Sequence, residues 1–266
     1  DQVLRLFEIV PDHDLDLMVP SQTLDTLTAR VLQRVGEVFD REQPDIVLVH
    51  GDTTTTLAAS LASFYRKLTL GHVEAGLRSG SLMAPWPEEM NRRVTTLATS
   101  PHFAPTAGAQ ANLLREGVPE SRIYVTGNTV VDALMATVQK TRAGGCGALS
   151  ADFKFLRQGR RLVLVTGHRR ENFGAPFQEV CSALIDIADA HDVQILYPVH
   201  PNPNVRGPVA ERLGSHPRIT LVDPLDYEPF VALMDQAYLI ITDSGGIQEE
   251  APSLGKPVLV MRDTTE

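Results

Sequence analysis

Cysteine is scarce in this chain of 266 residues, which contains two, Cys146 and Cys181. Two cysteines cannot form the disulfide framework of a small secreted domain, and neither stands in a CxxC or Cys/His metal-ligand spacing. The chain also lacks an apolar run of about 18 residues, the length that a membrane-spanning helix needs. No basic, then apolar, then small-residue pattern opens it. These absences favour a reducing, cytoplasmic location and argue against a membrane protein.

Acidic residues outnumber basic residues. The chain has 24 Lys and Arg against 33 Asp and Glu, which gives a formal net charge of -9 at pH 7. Nucleic-acid-binding proteins collect Lys and Arg to neutralise phosphates, so this balance argues against a nucleic-acid partner. A local site must therefore hold any anionic ligand. The length suffices for two domains of about 100 to 150 residues each.

Common cofactor motifs are also missing. No GxGxxG follows a strand-like run, no GxxxxGK[ST] occurs, and no Tyr stands four residues before a Lys. The chain has no acidic metal-binding pair of the kind found at sugar-nucleotide sites. We therefore expect neither a cofactor nor a metal, and we expect His, Arg and helix ends to meet the charge of a bound phosphate.

Hydrophobic periodicity predicts alternating strands and helices. Apolar residues at three- and four-residue spacing predict an amphipathic helix over 21–43, with Ser21 or Thr23 as N-cap. Near-continuous apolar strands that alternate with helices are typical of a parallel sheet covered on both faces. Strands are predicted at 46–50, 70–73, 102–104, 123–125, 162–165, 194–199, 219–222, 239–242 and 258–261, and further helices at 110–116, 177–190, 205–213, 227–236 and 246–254.

A glycine-rich, weakly periodic stretch at 141–160 predicts the connection between two domains. The fold class is therefore α/β, with two Rossmann-like, doubly wound parallel-sheet domains at 1–150 and 151–266 and a cleft between them. In such sheets ligands lie beyond the carboxyl ends of the strands. Polar loops follow predicted strands at 50–53, 74–78, 166–170 and 243–246.

Two of these loops suit a phosphate. In Asp243-Ser244-Gly245-Gly246, glycines allow close backbone approach, and a helix start offers free N–H groups. Glu249 and Glu250 are expected in or near the first turn, where a carboxylate can accept bonds from ribose hydroxyls. The alternative is a simple N-cap.

The second loop carries His168, followed by Arg169 and Arg170. Imidazolium and guanidinium groups can bind a pyrophosphate, although for this loop taken singly a solvated surface loop is the simpler explanation. His200, in the proline-rich segment 200–204, is left unassigned.

Three acids occupy loop positions in the first domain: Asp52, Glu74 and Glu88. Carboxylates grouped around a sugar can remove and return a proton or stabilise a cationic transition state. Alternatively, Asp52 caps the following helix, and Glu88 belongs to the acidic first turn of a helix after Pro87. Glu74 ends an apolar strand and precedes Ala75-Gly76, a position that has no evident structural explanation.

Five long motifs stand in order along nearly the whole chain. They are Val49-His50-Gly51-Asp52-Thr53-Thr54-Thr55-Thr56, Gly71-His72-Val73-Glu74-Ala75-Gly76-Leu77-Arg78, Trp86-Pro87-Glu88-Glu89, Val165-Thr166-Gly167-His168-Arg169-Arg170-Glu171-Asn172 and Thr242-Asp243-Ser244-Gly245-Gly246-Ile247-Gln248-Glu249-Glu250-Ala251. Together they resemble the bacterial, non-hydrolysing UDP-N-acetylglucosamine 2-epimerases.

The resemblance implies a fold like that of GT-B glycosyltransferases, a homodimer, and interconversion of UDP-N-acetylglucosamine and UDP-N-acetylmannosamine for surface polysaccharides. It implies a UDP-sugar substrate and no cofactor. The residues that match the family's functional positions are the acids Asp52, Glu74 and Glu88, the diphosphate-contacting His168, the phosphate loop Ser244, Gly245 and Gly246, the ribose-binding Glu250 and the uracil-side aromatic Phe230.

Two departures from the family stand at the ends. The family begins with a strand and a Gly-Thr-Arg-Pro-Glu loop that have no counterpart here, and it continues past Glu266 with another substrate-contacting Arg. We therefore expect a fragment with an incomplete first domain and a truncated second one, inactive if those parts are absent. A hydrolysing epimerase, a GT-B glycosyltransferase and a UDP-sugar-binding regulator are the alternative functions.

Overall fold

The computed structural model describes residues 2–144, 159–167, 175–199 and 203–261. Its contacts divide the chain into two compact units. The N-terminal unit is Val10–Thr129, and the C-terminal unit is Val130–Thr265 together with Asp1–Ile9. The predicted boundary at residue 150 differs from this division.

The N-terminal unit is built on a four-stranded parallel sheet. Its elements are α2 (Leu24–Glu42), β1 (Ile46–His50), α3 (Thr54–Tyr65), β2 (Thr69–Val73), α4 (Glu88–Ala98), β3 (His102–Ala104), α5 (Ala107–Arg115), a 3-10 turn (Glu120–Arg122) and β4 (Ile123–Val125). The strands follow chain order in the sheet, β1-β2-β3-β4. Small residues such as Ala58 and Ala62 let α3 pack closely, while Leu70 and Leu113 fill the core.

Local signals account for the ends of α2. The Thr23 side chain accepts a hydrogen bond from the backbone N–H of Thr26, as an N-cap does. At the other end Gln43 adopts a left-handed conformation and its N–H bonds the carbonyl of Phe39. The predicted helix and its Thr23 cap are therefore confirmed.

The C-terminal unit has a five-stranded parallel sheet. Its elements are α1 (Gln2–Leu6), α6 (Thr129–Ala143), β5 (Arg161–Thr166), α7 (Ala175–Ala190), β6 (Val193–Pro198), α8 (Pro203–Leu213), β7 (Ile219–Val222), α9 (Tyr227–Gln236), β8 (Leu239–Thr242), α10 (Gly245–Ser253) and β9 (Val258–Val260). The strand order in the sheet is β7-β6-β5-β8-β9. Between β5 and β8 the order reverses direction, which is the topological switch point of a doubly wound sheet.

Helix α6 explains where the division falls. Leu134 and Val138 are fully buried and belong to the same core cluster as Leu162 and Leu164 of β5. The chain therefore enters the C-terminal unit at Val130, well before the stretch predicted to connect two domains. Residues 145–158 of that stretch lie outside the described residues.

Both sheets agree with the predicted fold class of two parallel-sheet α/β domains. Strands 46–50, 102–104, 123–125, 219–222 and 239–242 and helix 227–236 have the predicted bounds. Among the described helices, none combines the length and the apolar character that crossing a bilayer requires.

Candidate functional site

The carboxyl ends of β1 and β2 bring Asp52 and Glu74 onto the same edge of the N-terminal sheet. His50 pairs with Val73 in the parallel register, so Gly51-Asp52 and Glu74 leave adjacent strand ends. The N–H of Gly51 bonds the carbonyl of Val73 at 3.0 Å and continues the ladder by one step. This is the edge where parallel α/β sheets place their ligands.

Asp52 does not cap the helix that follows it. Thr53 is the N-cap of α3, and its side chain accepts a bond from the N–H of Thr56. The Asp52 carboxylate instead accepts a hydrogen bond from Nη2 of Arg92 at 2.6 Å. Its backbone carbonyl accepts one from the side-chain amide of Asn91 at 2.8 Å. The alternative that Asp52 caps the following helix is therefore wrong. Asn91 and Arg92 of helix α4 bind Asp52 instead.

Glu74 has a left-handed backbone conformation, with φ at 67°. This conformation costs a non-glycine residue about 1–3 kcal/mol and persists where its surroundings impose it. Here the next residue, Ala75, is fully buried and its N–H bonds the carbonyl of Phe103 at 2.9 Å. Such strain is characteristic of functional positions.

Among the described residues, Asn128 and His50 contact the Glu74 carboxylate. The amide of Asn128 donates to Oε1 at 3.3 Å, and Nε2 of His50 lies 3.7 Å from Oε2. A Cβ at Gly51 would lie 3.1 Å from that Oε2, and Gly51 itself has a φ of 69°. Glycine therefore lets the β1 loop pass close to the Glu74 carboxylate.

His72 supports this edge from inside the sheet. It is fully buried, and its Nε2 lies 2.7 Å from the carbonyl of Gly51. Burial lowers the pKa of His72 to about 4, so the ring is neutral at pH 7. A neutral ring donates its Nε2–H to Gly51 and ties the Asp52 loop to β2.

Glu88 begins helix α4 directly after Pro87, as the acidic first turn predicted for it. It lies one turn before Asn91 and Arg92, the two residues that contact Asp52. Its Oε2 atom is buried and accepts no hydrogen bond from the described residues. A buried acceptor without a protein donor calls for another partner, such as a substrate hydroxyl or a water.

In the C-terminal unit the predicted phosphate loop, Ser244 to Gly246, follows β8. The hydroxyls of Thr166 and Thr242, at the ends of neighbouring β5 and β8, lie 2.6 Å apart, and the Ser244 N–H donates to Thr242 Oγ1 at 3.0 Å. Ser244 is the N-cap of α10, and its side chain makes no capping bond.

The first amides of α10 belong to Gly245 and Gly246. They come from the first turn, where N–H groups have no partner within the helix. A Cβ on Gly246 would meet nothing within 4 Å. The helix start is therefore open enough to bind an anion.

The loop after β5 is fixed by Tyr197, which donates a hydrogen bond from its buried hydroxyl to the carbonyl of Gly167 at 3.0 Å. Burial raises the pKa of Tyr197, so the hydroxyl keeps its proton. A Cβ at Gly167 would lie 3.0 Å from that hydroxyl and 3.3 Å from the Met261 side chain, so a side chain there would require these neighbours to shift. His168 follows directly but lies outside the described residues, as do Arg169, Arg170 and His200.

Glu250 is buried on α10, and burial raises its pKa to about 7, against the opposing effect of the nearby Tyr227 hydroxyl. The pKa of Tyr227 rises to about 12, also mainly through burial. Phe230, one turn further along α9, packs half-buried against the apolar core. Helix α10 begins at Gly245, so Glu249 and Glu250 lie just after its first turn, near it as expected.

The contacts reveal polar partners that the sequence reasoning did not assign. Arg92 and Asn91 hold Asp52, and Asn128 contacts Glu74. Asn91 and Arg92 lie one helical turn after Glu88 of the Trp86-Pro87-Glu88-Glu89 motif, which is a usable signal. Asn128 follows β4, so the rule that favours loops after strands also points to it.

Two parallel-sheet α/β units with polar residues at their strand ends define a GT-B-like protein. Solved structures agree with this class. The chain is similar to UDP-GlcNAc 2-epimerase from Neisseria meningitidis bound to UDP-GlcNAc, with a TM-score of 0.95 and 48% identity over 100% of this chain and 72% of that one. It is also similar to an S. aureus protein in complex with UDP, with a TM-score of 0.90 and 44% identity over 100% and 69% of the two chains.

Sequence comparison narrows the class to a family. The family model described as UDP-N-acetylglucosamine 2-epimerase matches residues 1–266. The UDP-N-acetylglucosamine 2-epimerase of Escherichia coli O157:H7 is 56% identical over 269 residues, which span 100% of this chain and 72% of that relative. The chain belongs to the UDP-N-acetylglucosamine 2-epimerase family, and the predicted family and enzyme class are confirmed.

Proposed function

We propose that this chain interconverts UDP-N-acetylglucosamine and UDP-N-acetylmannosamine by eliminating UDP and adding it back. The hydrogen at C2 has no neighbouring carbonyl to acidify it, so direct deprotonation at neutral pH is unfavourable. As the C1–O bond to UDP loosens, the ring gains oxocarbenium character and C2–H becomes acidic. A carboxylate then takes the proton, and the C2–H electron pair forms the C1–C2 double bond of 2-acetamidoglucal as UDP departs.

The return half-reaction sets the new configuration. A proton is delivered to the opposite face of C2, and the UDP oxygen bonds again to C1. Asp52, Glu74 and Glu88 share these proton transfers and the stabilisation of the cationic ring. The observation that carries this assignment is the pair Asp52 and Glu74 at adjacent ends of β1 and β2, with Asp52 bound to α4, the helix that Glu88 begins.

The nucleotide is assigned to the C-terminal unit. The amides of Ser244, Gly245 and Gly246 at the start of α10 stabilise the departing diphosphate, together with His168. Glu250 accepts bonds from the ribose, and Phe230 packs beside the uracil. Two relatives support a UDP ligand, since their solved structures hold UDP-GlcNAc and UDP. A homodimer and a cytoplasmic location stay predictions.

Incubation of the full-length protein with UDP-N-acetylglucosamine in D₂O tests the proposal. We expect deuterium at C2 of both epimers by proton NMR, because the removed proton exchanges with solvent. Phosphorus NMR should show the two UDP-sugars at equilibrium without accumulating UDP. Continued accumulation of UDP would instead indicate a hydrolysing epimerase, and a sugar that keeps its C2 hydrogen would contradict the elimination.

A further inference from the structure

A buried chain of charges connects helix α4 to Asp52. The side chain of Glu89 is fully buried and that of Arg92 is 7% exposed. Arg92 Nη1 lies 3.4 Å from Glu89 Oε2, and Arg92 Nη2 lies 2.6 Å from Asp52 Oδ2. The guanidinium thus stands between a carboxylate of the interior and a carboxylate of the strand edge.

Glu89 has the partners that a buried carboxylate needs. Besides Arg92, its Oε1 accepts from Nε of Arg93 at 3.1 Å and its Oε2 from the N–H of Ser79 at 3.1 Å. Donors on both oxygens restrict the carboxylate to one orientation, and the carboxylate in turn fixes the guanidinium of Arg92. Orientation is what a proton-transfer group requires, since efficiency falls steeply with misplacement.

Stability alone gives a weak reason for this arrangement. Removing two charges from water costs several kcal/mol per ion, and apolar residues of similar volume commonly replace a buried pair without loss of stability. Arg92 reaches beyond the interior to Asp52, whose side chain is 28% exposed. The neighbouring Asn91 binds the backbone carbonyl of that same residue. Both contacts converge on one candidate acid.

We propose that Glu89 and Arg92 are positioning residues that orient the Asp52 carboxylate for proton transfer. Because Glu88 begins the same helix one turn earlier, α4 also fixes the position of Asp52 relative to Glu88. This inference rests on the proposed function, in which Asp52 acts on the sugar. It adds Glu89 and Arg92, neither of which needs to touch the substrate.

A double-mutant cycle on the full-length protein tests the inference. Arg92→Gln is expected to lower kcat by about 10- to 100-fold while KM for UDP-N-acetylglucosamine stays within about threefold, because the nucleotide contacts are untouched. Arg92→Lys should recover part of this loss, since it keeps the charge but not the planar fork. Glu89→Gln should give a loss similar to that of Arg92→Gln.

The decisive measurement is Arg92→Gln in an Asp52→Asn background. If Arg92 acts through Asp52, the second substitution should change kcat by less than about threefold, because residues that share one interaction are not additive. Losses that multiply would overturn the proposal. Should Arg92→Gln not fold, the same cycle is run with Arg92→Lys, and the same criterion applies.

The control is Arg66→Gln. Arg66 forms a bidentate pair with Asp40 at 2.7 Å for both bonds in the same unit, away from the strand edge. This variant is expected to keep the wild-type kcat. A wild-type protein that fails to exchange deuterium at C2 would remove the proposed function and the inference with it. Exchange in the wild type, combined with multiplying losses, would remove the inference alone.

Discussion

Individual carboxylates of this protein differ sharply in their surroundings. Glu74 and Asp52 are partly exposed at a strand edge, whereas Glu250 is buried near the hydroxyl of Tyr227. Burial favours the neutral form of a carboxyl group, which explains why the pKa of Glu250 rises to about 7. A ribose hydroxyl that donates a hydrogen bond stabilises the ionised form instead. In the proposed complex, in which Glu250 binds the ribose, substrate binding and proton release are thus linked.

This linkage makes stability depend on pH. The folded pKa of Glu250, about 7, lies above the ordinary glutamate value of 4.5, so the stability due to its protonated form is complete below pH 4.5 and is lost as pH rises through 7. Glu250→Gln removes the titration. Relative to wild type it should raise the free energy of unfolding at pH 8 by roughly 1–3 kcal/mol, with a smaller effect at pH 5.

Denaturant titrations at both pH values measure this difference. Glu211→Gln, at an exposed position of the same unit, is the control and should change stability by less than about 0.5 kcal/mol. An effect of Glu250→Gln that is equal at pH 5 and pH 8 would show that burial does not set the protonation of this group.

At the scale of elements, glycine decides how closely β2 and α5 approach. Gly76 follows β2 with a φ of 90°, and a Cβ there would lie 2.4 Å from the carbonyl oxygen of Ala109 in α5. Asn112 of α5 binds the carbonyl of Gly76 at 2.9 Å. The turn that carries Glu74 therefore packs directly against helix α5, and neither its backbone nor that of α5 can move aside.

Gly76→Ala should destabilise the protein by at least about 3 kcal/mol, because left-handed strain adds to a clash with backbone that cannot move aside. Gly80→Ala is the matched control. Gly80 has a similar φ of 83°, but a Cβ there meets nothing within 4 Å. Its substitution should cost only about 1–2 kcal/mol, the strain alone. Equal losses of unfolding free energy for both variants would show that the close contact with α5 adds nothing to the cost of the Gly76 substitution.

At the scale of the whole molecule, the net charge of -9 requires that a UDP-sugar be held by local donors rather than by a basic surface. The proposed donors belong to the C-terminal unit, and the proposed acids belong to the N-terminal unit. In the proposed reaction, binding of the nucleotide and transfer of the C2 proton therefore depend on different residues.

Glu74→Gln should accordingly lower kcat by about 10² to 10⁴, the usual loss for an acid–base group, and leave the Kd for UDP within about threefold. Glu250→Ala should weaken UDP binding by about tenfold or more, because a charge-assisted hydrogen bond contributes about 1.5–3 kcal/mol. Calorimetric titration with UDP and steady-state kinetics give both quantities in the full-length protein. A Glu74→Gln variant with less than a tenfold loss of kcat would rule out Glu74 as a proton carrier.

Most helices and strands could be predicted from the sequence because the signals that specify them are local. An apolar run of strand length predicts β1 with its observed bounds, and Thr23 indicates the start of α2. Helix α6 is missing from the predicted elements, although Leu134 and Val138 stand four residues apart on one face. Their partners, Leu162 and Leu164, lie far along the chain, and only packing assigns the helix to the C-terminal unit.

The residue types and order of the sequence by themselves determined the α/β class, the family and the identity of the candidate acids Asp52, Glu74 and Glu88. Tertiary structure alone decided that Arg92 binds Asp52 and Glu89 together, that Asn128 contacts Glu74, and that Glu250 is buried. The physical reason is the separation along the chain over which each effect acts. Periodicity and capping act within a few residues, whereas hydrogen bonds and desolvation act between residues that only the folded chain brings together.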